Sequence, residues 1–546
     1  MENKNFDSKD KNYDDVFWAD QLAEKITSRK KFSYIEKEIE KPDIFVVKTS
    51  ASLSGILHIG RLSDTIRGES VVVALKDAGV NTRFIWVAED MDPFRKVPKG
   101  VPENYKKYIG MPVTDIPDMD GCHASYAQHH MEEYFNIIDD FVVTKLEKFS
   151  MREEYKKGTF NESIKKIMEG IGKVKEIQNR YRTNPLRKNW SPWNPICDKC
   201  GKIVTPHVTN FENGIASYTC RDYEFETENA SGCGFKGEND PLKGNGKLVW
   251  KSEWATQWAT WKVVCEGAGK EYQVPNSAFW INGEIAEKVL GFPMPVPIFY
   301  EHINIDNQKM SASVGNVVYP RQWLEVAPPE LLRLFYNKRL MTTRSFSWKD
   351  LPNIYDDYDK IAKVYSGEIK LDNKKEEAHY KRLFEISHGE SKIKPPQISF
   401  SHASVIAQIF ANEKDAVRSM EKTGHYSKEE HERIFDRLHK SKVWLKKYAP
   451  DEVKFNLQKT VPKNISLSDL QKNALHELAK SLRNENLNEA SLYPKFFEIS
   501  KNLDIPPSEL FKAAYKVLLN KDRGPKLAAF ILALNKEIAI GLFESV

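Results

Sequence analysis

Apolar runs of strand length and a helical stripe follow one another early in the chain. An apolar, β-branched run covers Ile44–Thr49, and a loop of small residues, "SASLSG", comes after it. From His58 onward apolar residues recur at the spacing of one helix face. A second run, Thr82–Asp90, has strand length and ends in two acids. This order predicts a parallel α/β sheet that binds ligands beyond the carboxyl ends of its strands.

The remaining chain divides into segments of different pattern. Residues 125–182 have helical spacing, whereas residues 190–247 are rich in Gly, Asn and Cys and predict a small inserted module. A strand-like run, Val296–Ile305, precedes a polar turn, and beyond about residue 320 the pattern is helical except for a linker-like break at 388–399. We predict four parts: 1–130 and 247–350 as the halves of a parallel α/β domain, 131–246 as an inserted connective region, and 351–546 as an all-helical domain.

Composition favours a globular protein that works inside the cell. Of 546 residues, 40% are apolar and 29% are charged, as in folded soluble domains. The charge-dense start has no apolar segment typical of a secretory signal, and no run approaches the ~20 apolar residues that span a bilayer. We therefore expect a cytoplasmic protein without a membrane partner.

The positive charge is concentrated near the end of the chain. Residues 441–546 carry a surplus of +5, which equals the net charge of the whole chain. A basic helical domain suits a polyanion such as RNA. A solvated helical surface explains the charge equally well.

Two short motifs are weak separately and informative together. "SGILHIG", Ser54–Gly60, lies where a loop leads into a helix, and a helix start favours a phosphate. "KMSASVGN", Lys309–Asn316, places a lysine in a polar turn, where it can neutralise phosphate charge. Each pattern alone is more often an incidental histidine or an exposed turn. Their order and their separation by about 250 residues resemble the ATP-binding signatures of class I aminoacyl-tRNA synthetases.

Further runs resemble one family in particular, the class I lysyl-tRNA synthetases. They are "EDMDPFRKVP" (Glu89–Pro98), Tyr108–His130, Lys247–Ala259, Gly267–Tyr272, Pro328–Tyr336 and Gly524–Ile531. The resemblance implies a Rossmann core with an insertion and a helical anticodon-binding domain. It also implies a lysine–tRNA ligase, which uses ATP with Mg²⁺ to form lysyl-adenylate and transfers the lysyl group to the terminal adenosine of tRNA(Lys).

The same resemblance assigns substrate contacts. Catalysis would be electrostatic and would depend on His58, Gly60, Lys309 and Ser311. ATP would be bound by these four together with Ser54, Met310 and Ser313.

For lysine, the resemblance implies Ser52, Asp64 and Trp254. A carboxylate suits a substrate ammonium and rejects neutral amino acids, although a helix acid that stabilises the dipole is the ordinary alternative for Asp64. Trp254 would pack along the methylenes of the substrate. The chain departs from the family pattern at Arg61, Tyr272 and Val314.

Cysteine spacing predicts a zinc site. Cys197 and Cys200 form a C-x2-C turn of the zinc-knuckle type, and Cys220 and Cys233 follow it. The family usually has a second C-x2-C here, whereas "RDYEFETENASG" separates the last two cysteines in this chain. Free structural thiols are the alternative.

A second zinc site is predicted closer to the N-terminus. Asp118, Cys122, His123 and His129 are four ligand-type residues within 12 positions, and similar positions bind a structural zinc in the family. His130 is a rival for His129, and ordinary polar loop residues are the alternative to a metal site. We therefore expect two structural Zn²⁺ ions.

Two other functions stay open at this point. One is a non-catalytic tRNA-binding relative whose altered "KMSASVGN" loop no longer handles a nucleotide. An enzyme shows lysine-dependent ATP–pyrophosphate exchange, whereas such a binding protein does not. The other is a class I synthetase for a different amino acid, against which Asp64, Trp254 and the family-specific runs argue.

Overall fold

The computed structural model describes residues 17–53, 57–98, 100–310, 316–389 and 394–546. In chain order, the strands within these residues are β1 (Phe45–Ser52), β2 (Thr82–Glu89), β3 (Leu146–Ser150), β4 (Trp193–Pro195), β5 (Pro206–Glu212), β6 (Ile215–Cys220), β7 (Tyr223–Glu224), β8 (Asn229–Ala230), β9 (Lys236–Asn239), β10 (Gly246–Leu248), β11 (Val263–Gly269), β12 (Val296–Tyr300), β13 (Ile303–Ile305), β14 (Gln308–Lys309) and β15 (Arg344–Phe346).

In sequence, the helices of the described residues come before, between and after these strands. They are α1 (Trp18–Ser28), α2 (Ile59–Asp77), α3 (Tyr126–Ile138), α4 (Met151–Lys157), α5 (Asn161–Glu169), α6 (Ile171–Asn179), α7 (Trp250–Trp261), α8 (Ala278–Ile285), α9 (Pro320–Val326), α10 (Pro329–Asn337), α11 (Leu351–Ser366), α12 (Lys374–His388), α13 (Phe400–Ile409), α14 (Glu413–Lys422), α15 (His431–Lys447), α16 (Asp469–Asn484), α17 (Glu489–Asn502), α18 (Pro507–Leu519), α19 (Leu527–Ala533) and α20 (Lys536–Glu544). None of these described helices combines the length and apolar character that crossing a membrane requires.

The central sheet is parallel and has five strands in the order β12-β11-β1-β2-β3. Its middle strand, β1, is rich in buried β-branched residues, and Val47 pairs with Cys265 of β11 on one side and Phe84 of β2 on the other. After β1 the chain first adds β2 and β3 on one side of it and later β11 and β12 on the other side. Ligands bind beyond the carboxyl ends of the strands at such a switch point. The predicted parallel α/β core is confirmed.

The Cys-rich insertion folds as small antiparallel sheets. Strands β5, β6 and β9 form one, β4 and β10 a second, and β7 and β8 a third. The β7–β8 hairpin is built from the residues that separate Cys220 from Cys233. Because a hairpin brings its ends together, the inserted residues leave the two cysteines close to each other.

The chain forms two compact units. The first consists of residues 1–322, 329–346 and 364–392 and includes the strands named above. The second consists of 323–328, 347–363 and 393–546, and its described residues beyond 399 fold as helices joined by loops. Leu475, Leu478, Leu510, Val517 and Phe543 belong to its buried core. The predicted helical C-terminal region is confirmed, whereas the four domain boundaries remain predictions.

Three local predictions were wrong. The helical stretch predicted over 125–182 contains strand β3, "LEKFS", whose residues are only half-buried and form no apolar face that would predict a strand. The run Val296–Ile305 is two strands, β12 and β13, in different sheets. Strand β15 lies in the region beyond residue 320 that was predicted to be helical, and it pairs with β13.

Candidate functional site

The H-I-G motif starts α2 at the carboxyl end of β1. His58 caps the helix, and its Nδ1 accepts a hydrogen bond from the backbone N–H of Gly60 at 3.2 Å. Burial, with a smaller contribution from the charge of Arg61, lowers the pKa of His58 to about 4. The imidazole is therefore neutral at pH 7, with its proton on Nε2 because Nδ1 is an acceptor. That N–H is a donor suited to a phosphate oxygen.

The second motif lies against the first. A Cβ added to Gly60 would come within 2.8 Å of the His58 ring and 3.4 Å of Met310 Sδ, so glycine permits this close approach. The backbone N–H of Ile59 donates to the Val318 carbonyl at 2.8 Å. The structure thus joins two motifs that are far apart in sequence.

Lys309 is the cation of the second motif. It is exposed on β14 and pairs with Asn304 of β13, and Asn316 Nδ2 donates to its carbonyl at 3.0 Å. These bonds fix the backbone of Lys309 and leave its ammonium accessible. Four residues named from the sequence lie outside the described residues: Ser54, Ser311, Ser313 and Val314.

Asp64 presents a buried carboxylate on the first turns of α2. Its Oδ2 accepts from the Ser50 N–H at 3.3 Å, whereas its buried Oδ1 has no hydrogen-bond partner among the described residues. Burial and the nearby Glu266 raise the pKa of Asp64 to about 6. A Cβ on Gly267 would fall 1.9 Å from Oδ1, so only glycine leaves room for this carboxylate. An open buried acceptor of this kind is suited to a cationic ligand.

Trp254 lies in an aromatic cluster on α7. Its ring stacks on Trp250 at 4.8 Å and meets Tyr272 edge to face at 5.2 Å. Its indole Nε1 is buried and has no hydrogen-bond partner within the described ranges. Tyr272, one of the departures from the family pattern, therefore belongs to the surroundings of Trp254.

The acids after β2 are held at the strand ends. Ser52 Oγ donates to Asp92 Oδ2 at 2.8 Å, and Lys247 Nζ lies 3.4 Å from Asp92 Oδ1. Asp90 accepts hydrogen bonds from the Ser150 hydroxyl and from the Arg152 N–H. Ser52, which the sequence assigned to lysine, is thus already bonded to a neighbouring carboxylate.

Sequence reasoning missed two residues beside Asp64. Tyr300 ends β12, and its hydroxyl approaches the Asp64 carboxylate and lowers the pKa of that group without a well-formed bond to Oδ1. Arg67 lies one turn along α2, with its guanidinium 4.6 Å from the Tyr300 ring. The position of Tyr300 at the end of a strand was the only signal in the sequence, and it is weak.

A buried ionic network beneath the site was also missed. Lys48 Nζ lies 2.6 Å from Glu266 Oε1, and Trp258 Nε1 donates to Glu266 Oε2 at 2.5 Å. Gln257 Nε2 donates to Glu89 at 3.1 Å. Trp258 and Gln257 are on α7, so these bonds fix the helix that carries Trp254 against strands β1, β2 and β11.

The four cysteines of the inserted module converge. Cys197 and Cys233 have sulfurs 3.6 Å apart, and those of Cys200 and Cys220 are 3.7 Å apart. All four Sγ atoms lie within 4.8 Å of one another. A tetrahedral zinc with Zn–S bonds of ~2.3 Å has sulfurs ~3.8 Å apart, so the spacing fits this ion.

The second cluster also converges. Cys122 Sγ lies 3.0 Å from His123 Nδ1 and 3.3 Å from His129 Nδ1, and Asp118 Oδ2 is 3.2 Å from the same sulfur. The four ligand atoms lie within 4.8 Å of one another. His130, the rival from the sequence, is buried and lies outside the group. This mixed N, S and O set is one that zinc accepts.

A parallel sheet whose strand β1 is followed by H-I-G at the start of a helix, with Met310 of the K-M-S motif packed near Gly60, is the layout of a class I aminoacyl-tRNA synthetase core. A family model described as tRNA synthetases class I (K) matches residues 16–390. The chain is 34% identical to a lysine–tRNA ligase of Pyrococcus furiosus over 96% of its own length and 98% of that protein. Lysine–tRNA ligases of Methanosphaera stadtmanae (96% and 99% covered) and Methanocaldococcus jannaschii (97% and 100%) are each 30% identical to it. The chain therefore belongs to the class I (K) tRNA synthetase family, and the resemblance seen in the sequence is confirmed.

Proposed function

We propose that this protein is a lysine–tRNA ligase that activates lysine with ATP and transfers it to tRNA(Lys). Asp64 carries the proposal, because its buried carboxylate with an open oxygen lies on the helix that the H-I-G motif begins. Such a group binds an ammonium and disfavours neutral side chains, which would leave it buried and unpaired. Trp254 would pack along the methylenes of lysine.

ATP would be held where the two motifs meet. The neutral His58 donates from Nε2, Gly60 lets the nucleotide approach the backbone, and Lys309 neutralises charge on the phosphates. Ser54, Met310, Ser311 and Ser313 would complete this site. The Mg²⁺ that accompanies ATP would share in neutralising its phosphates. The carboxylate of lysine then attacks the α-phosphorus and displaces pyrophosphate, which leaves lysyl-adenylate, and fixed donors stabilise the growing charge.

Amino-acid-dependent ATP–pyrophosphate exchange, measured with each of the 20 standard amino acids, tests this function. Strong exchange is expected with lysine and weak exchange with the others, because only lysine offers an extended side chain that ends in an ammonium. Exchange driven by a different amino acid, or by none, would contradict the assignment.

Zinc would occupy both ligand clusters and stabilise the loops that carry them. Cys197, Cys200, Cys220 and Cys233 would hold one ion, and Asp118, Cys122, His123 and His129 the other. Neither cluster lies among the residues proposed to contact ATP or lysine, so we assign both ions a structural role.

Metal analysis of point variants tests these assignments. The purified protein is expected to contain about two Zn²⁺ per chain, since each cluster supplies the four ligands that a closed site needs. His129→Ala should lose one ion and lower the melting temperature, whereas the matched control His130→Ala should keep two. Equal zinc contents in the two variants would exclude His129 as a ligand.

tRNA would be recognised in part by the second unit. A cavity of about 480 Å³ in this unit is bordered by the cations Arg523 and Lys526 and by the stacked imidazoles of His402 and His425, whose centroids are 4.2 Å apart. Unpaired bases stack on such rings, and cations contact phosphates. The proposed anticodon-binding role of this unit is supported by this combination and by its basic charge.

Binding measurements over a range of salt concentrations test the RNA surface. Combined Arg523→Ala and Lys526→Ala substitutions should weaken tRNA(Lys) binding about three- to tenfold and reduce the salt slope by about two, roughly one per lost phosphate contact. Lysine-dependent exchange should not change. The exposed pair Lys480→Ala and Lys501→Ala is the control, and an equal loss there would argue against this surface.

A further inference from the structure

Arg67 is a buried cation for which the residues described show no salt bridge. It is 2% exposed on α2, and in the part of the chain that the structure describes its Nε and Nη1 have no hydrogen-bond partner. An unpaired buried charge is costly, and arginine does not lose its proton to avoid that cost. A side chain with only a packing role would be replaced by an apolar residue without loss. The position of Arg67 therefore points to a role of its charge.

Two tyrosines enclose the guanidinium. Its Cζ lies 4.6 Å from the ring centroid of Tyr300 and 5.5 Å from that of Tyr336. The attraction between a cation and an aromatic ring is strongest where both are desolvated, as here. Tyr336 is itself anchored, because its hydroxyl donates to the Ile59 carbonyl at 2.9 Å. The hydroxyl of Tyr300 approaches Asp64, and its ring packs against the guanidinium of Arg67.

We propose that Arg67 is a positioning residue of the lysine pocket, which holds Tyr300 beside Asp64 and places its own charge about one helical turn from that carboxylate. This inference rests on the proposed function and names a residue through which that site obtains its selectivity. Arg67 does not itself contact lysine. It acts through the ring that it fixes and through its field.

The charge of Arg67 matters because the other neighbours of Asp64 have opposite effects on its pKa. The titratable and charged groups that face it are Lys48 on β1, Cys265 and Glu266 on β11, Tyr300 on β12, Tyr134 on α3 and Arg67 on α2. Glu266 raises the pKa of Asp64, but Lys48 is already paired with Glu266. Among these groups, Arg67 is therefore the cation that is not already paired with an acid.

Steady-state pyrophosphate exchange of Arg67→Met over a range of pH tests the proposal. The KM for lysine should rise about tenfold or more, as expected for a lost desolvated cation–aromatic contact, while kcat and the KM for ATP change less than about threefold. Asp64 binds lysine only when it is ionised, and removing a nearby cation raises its pKa further. The acid limb of kcat/KM for lysine should therefore move by about half a pH unit or more to higher pH.

Two further variants make the test specific. Arg67→Lys keeps the charge near Tyr300 and should recover most of the lysine affinity and the original pH profile. Arg83→Met removes another arginine–aromatic contact, 5.5 Å over Phe149, away from the pocket, and should leave both unchanged.

The outcomes separate this inference from the proposed function. Absence of lysine-dependent exchange in the unaltered protein would overturn the function itself. Normal lysine KM and pH profile in Arg67→Met would overturn only the role of Arg67. A rise in the KM values for ATP and lysine together, with a lower melting temperature and no recovery in Arg67→Lys, would show a packing role and would also overturn it.

Discussion

Asp64→Asn is expected to lower kcat/KM for lysine in pyrophosphate exchange by about 10³-fold or more, the scale on which sites built for a polar partner reject a mismatch. The amide keeps the shape of the side chain and removes its charge. The ammonium of lysine would then be buried without a counter-ion. The KM for ATP should change little, because the nucleotide is proposed to contact the H-I-G and K-M-S residues instead.

The same variant should be more stable than the unaltered protein at pH 7. The pKa of Asp64 is raised to about 6 in the fold, so folding favours its protonated form and the fold loses stability as pH rises from about 4 to 6. A neutral amide removes this cost of about 1–3 kcal/mol, and the melting temperature should rise. Loss of activity with a gain in stability cannot be attributed to misfolding.

Glu69→Gln is the matched control for Asp64→Asn. Glu69 is a second buried carboxylate of α2, but its Oε1 accepts hydrogen bonds from the backbone N–H groups of Val143 and Thr144 and from the Thr144 hydroxyl. Its replacement should leave the KM for lysine unchanged. If both variants lose lysine affinity equally, Asp64 is not the specificity residue.

Lys309→Ala is expected to slow lysyl-adenylate formation about a hundredfold or more, the loss typical of one fixed donor to a developing charge. Single-turnover measurement isolates this step, and lysine binding should change much less. The backbone of Lys309 is fixed by β13 and by Asn316, so the substitution removes a positioned charge without disturbing its surroundings.

Two controls accompany this measurement. Val314→Lys restores the cation that the family has at this position and should alter the rate less than about tenfold, because one lysine already neutralises the phosphate charge. Lys106→Ala removes an exposed lysine from another part of the first unit and should have no effect. A wild-type rate in Lys309→Ala would favour the tRNA-binding protein without catalytic activity.

Local sequence patterns were sufficient to predict the strand and the helix that carry the H-I-G motif. The buried run of β1 and the helical spacing after His58 were strong enough to place H-I-G at a strand–helix junction. Close ligand spacing made the cluster around Cys122 recognisable in the same way. Both depend on residues that are near one another in the chain.

Long-range packing could not be predicted. Tyr300 and Arg67 are more than 200 positions apart, and neither carries a motif, so only the fold reveals that they meet beside Asp64. Strand β3 was missed because its half-buried residues lack an apolar face. The ion pair of Lys48 with Glu266 was hidden for another reason, since charged residues in strands are ordinarily read as exposed.

The interleaved make-up of the two units limits how such a gene can be rearranged. The second unit takes Trp323–Pro328 and Ser347–Lys363 from within the sequence of the first, in addition to Ile393–Val546. A single recombination or truncation point therefore cannot exchange or remove this unit whole. A chimera that carries the helical unit of a relative would need all three segments from the same parent, and single-junction hybrids should be recovered mainly as insoluble protein.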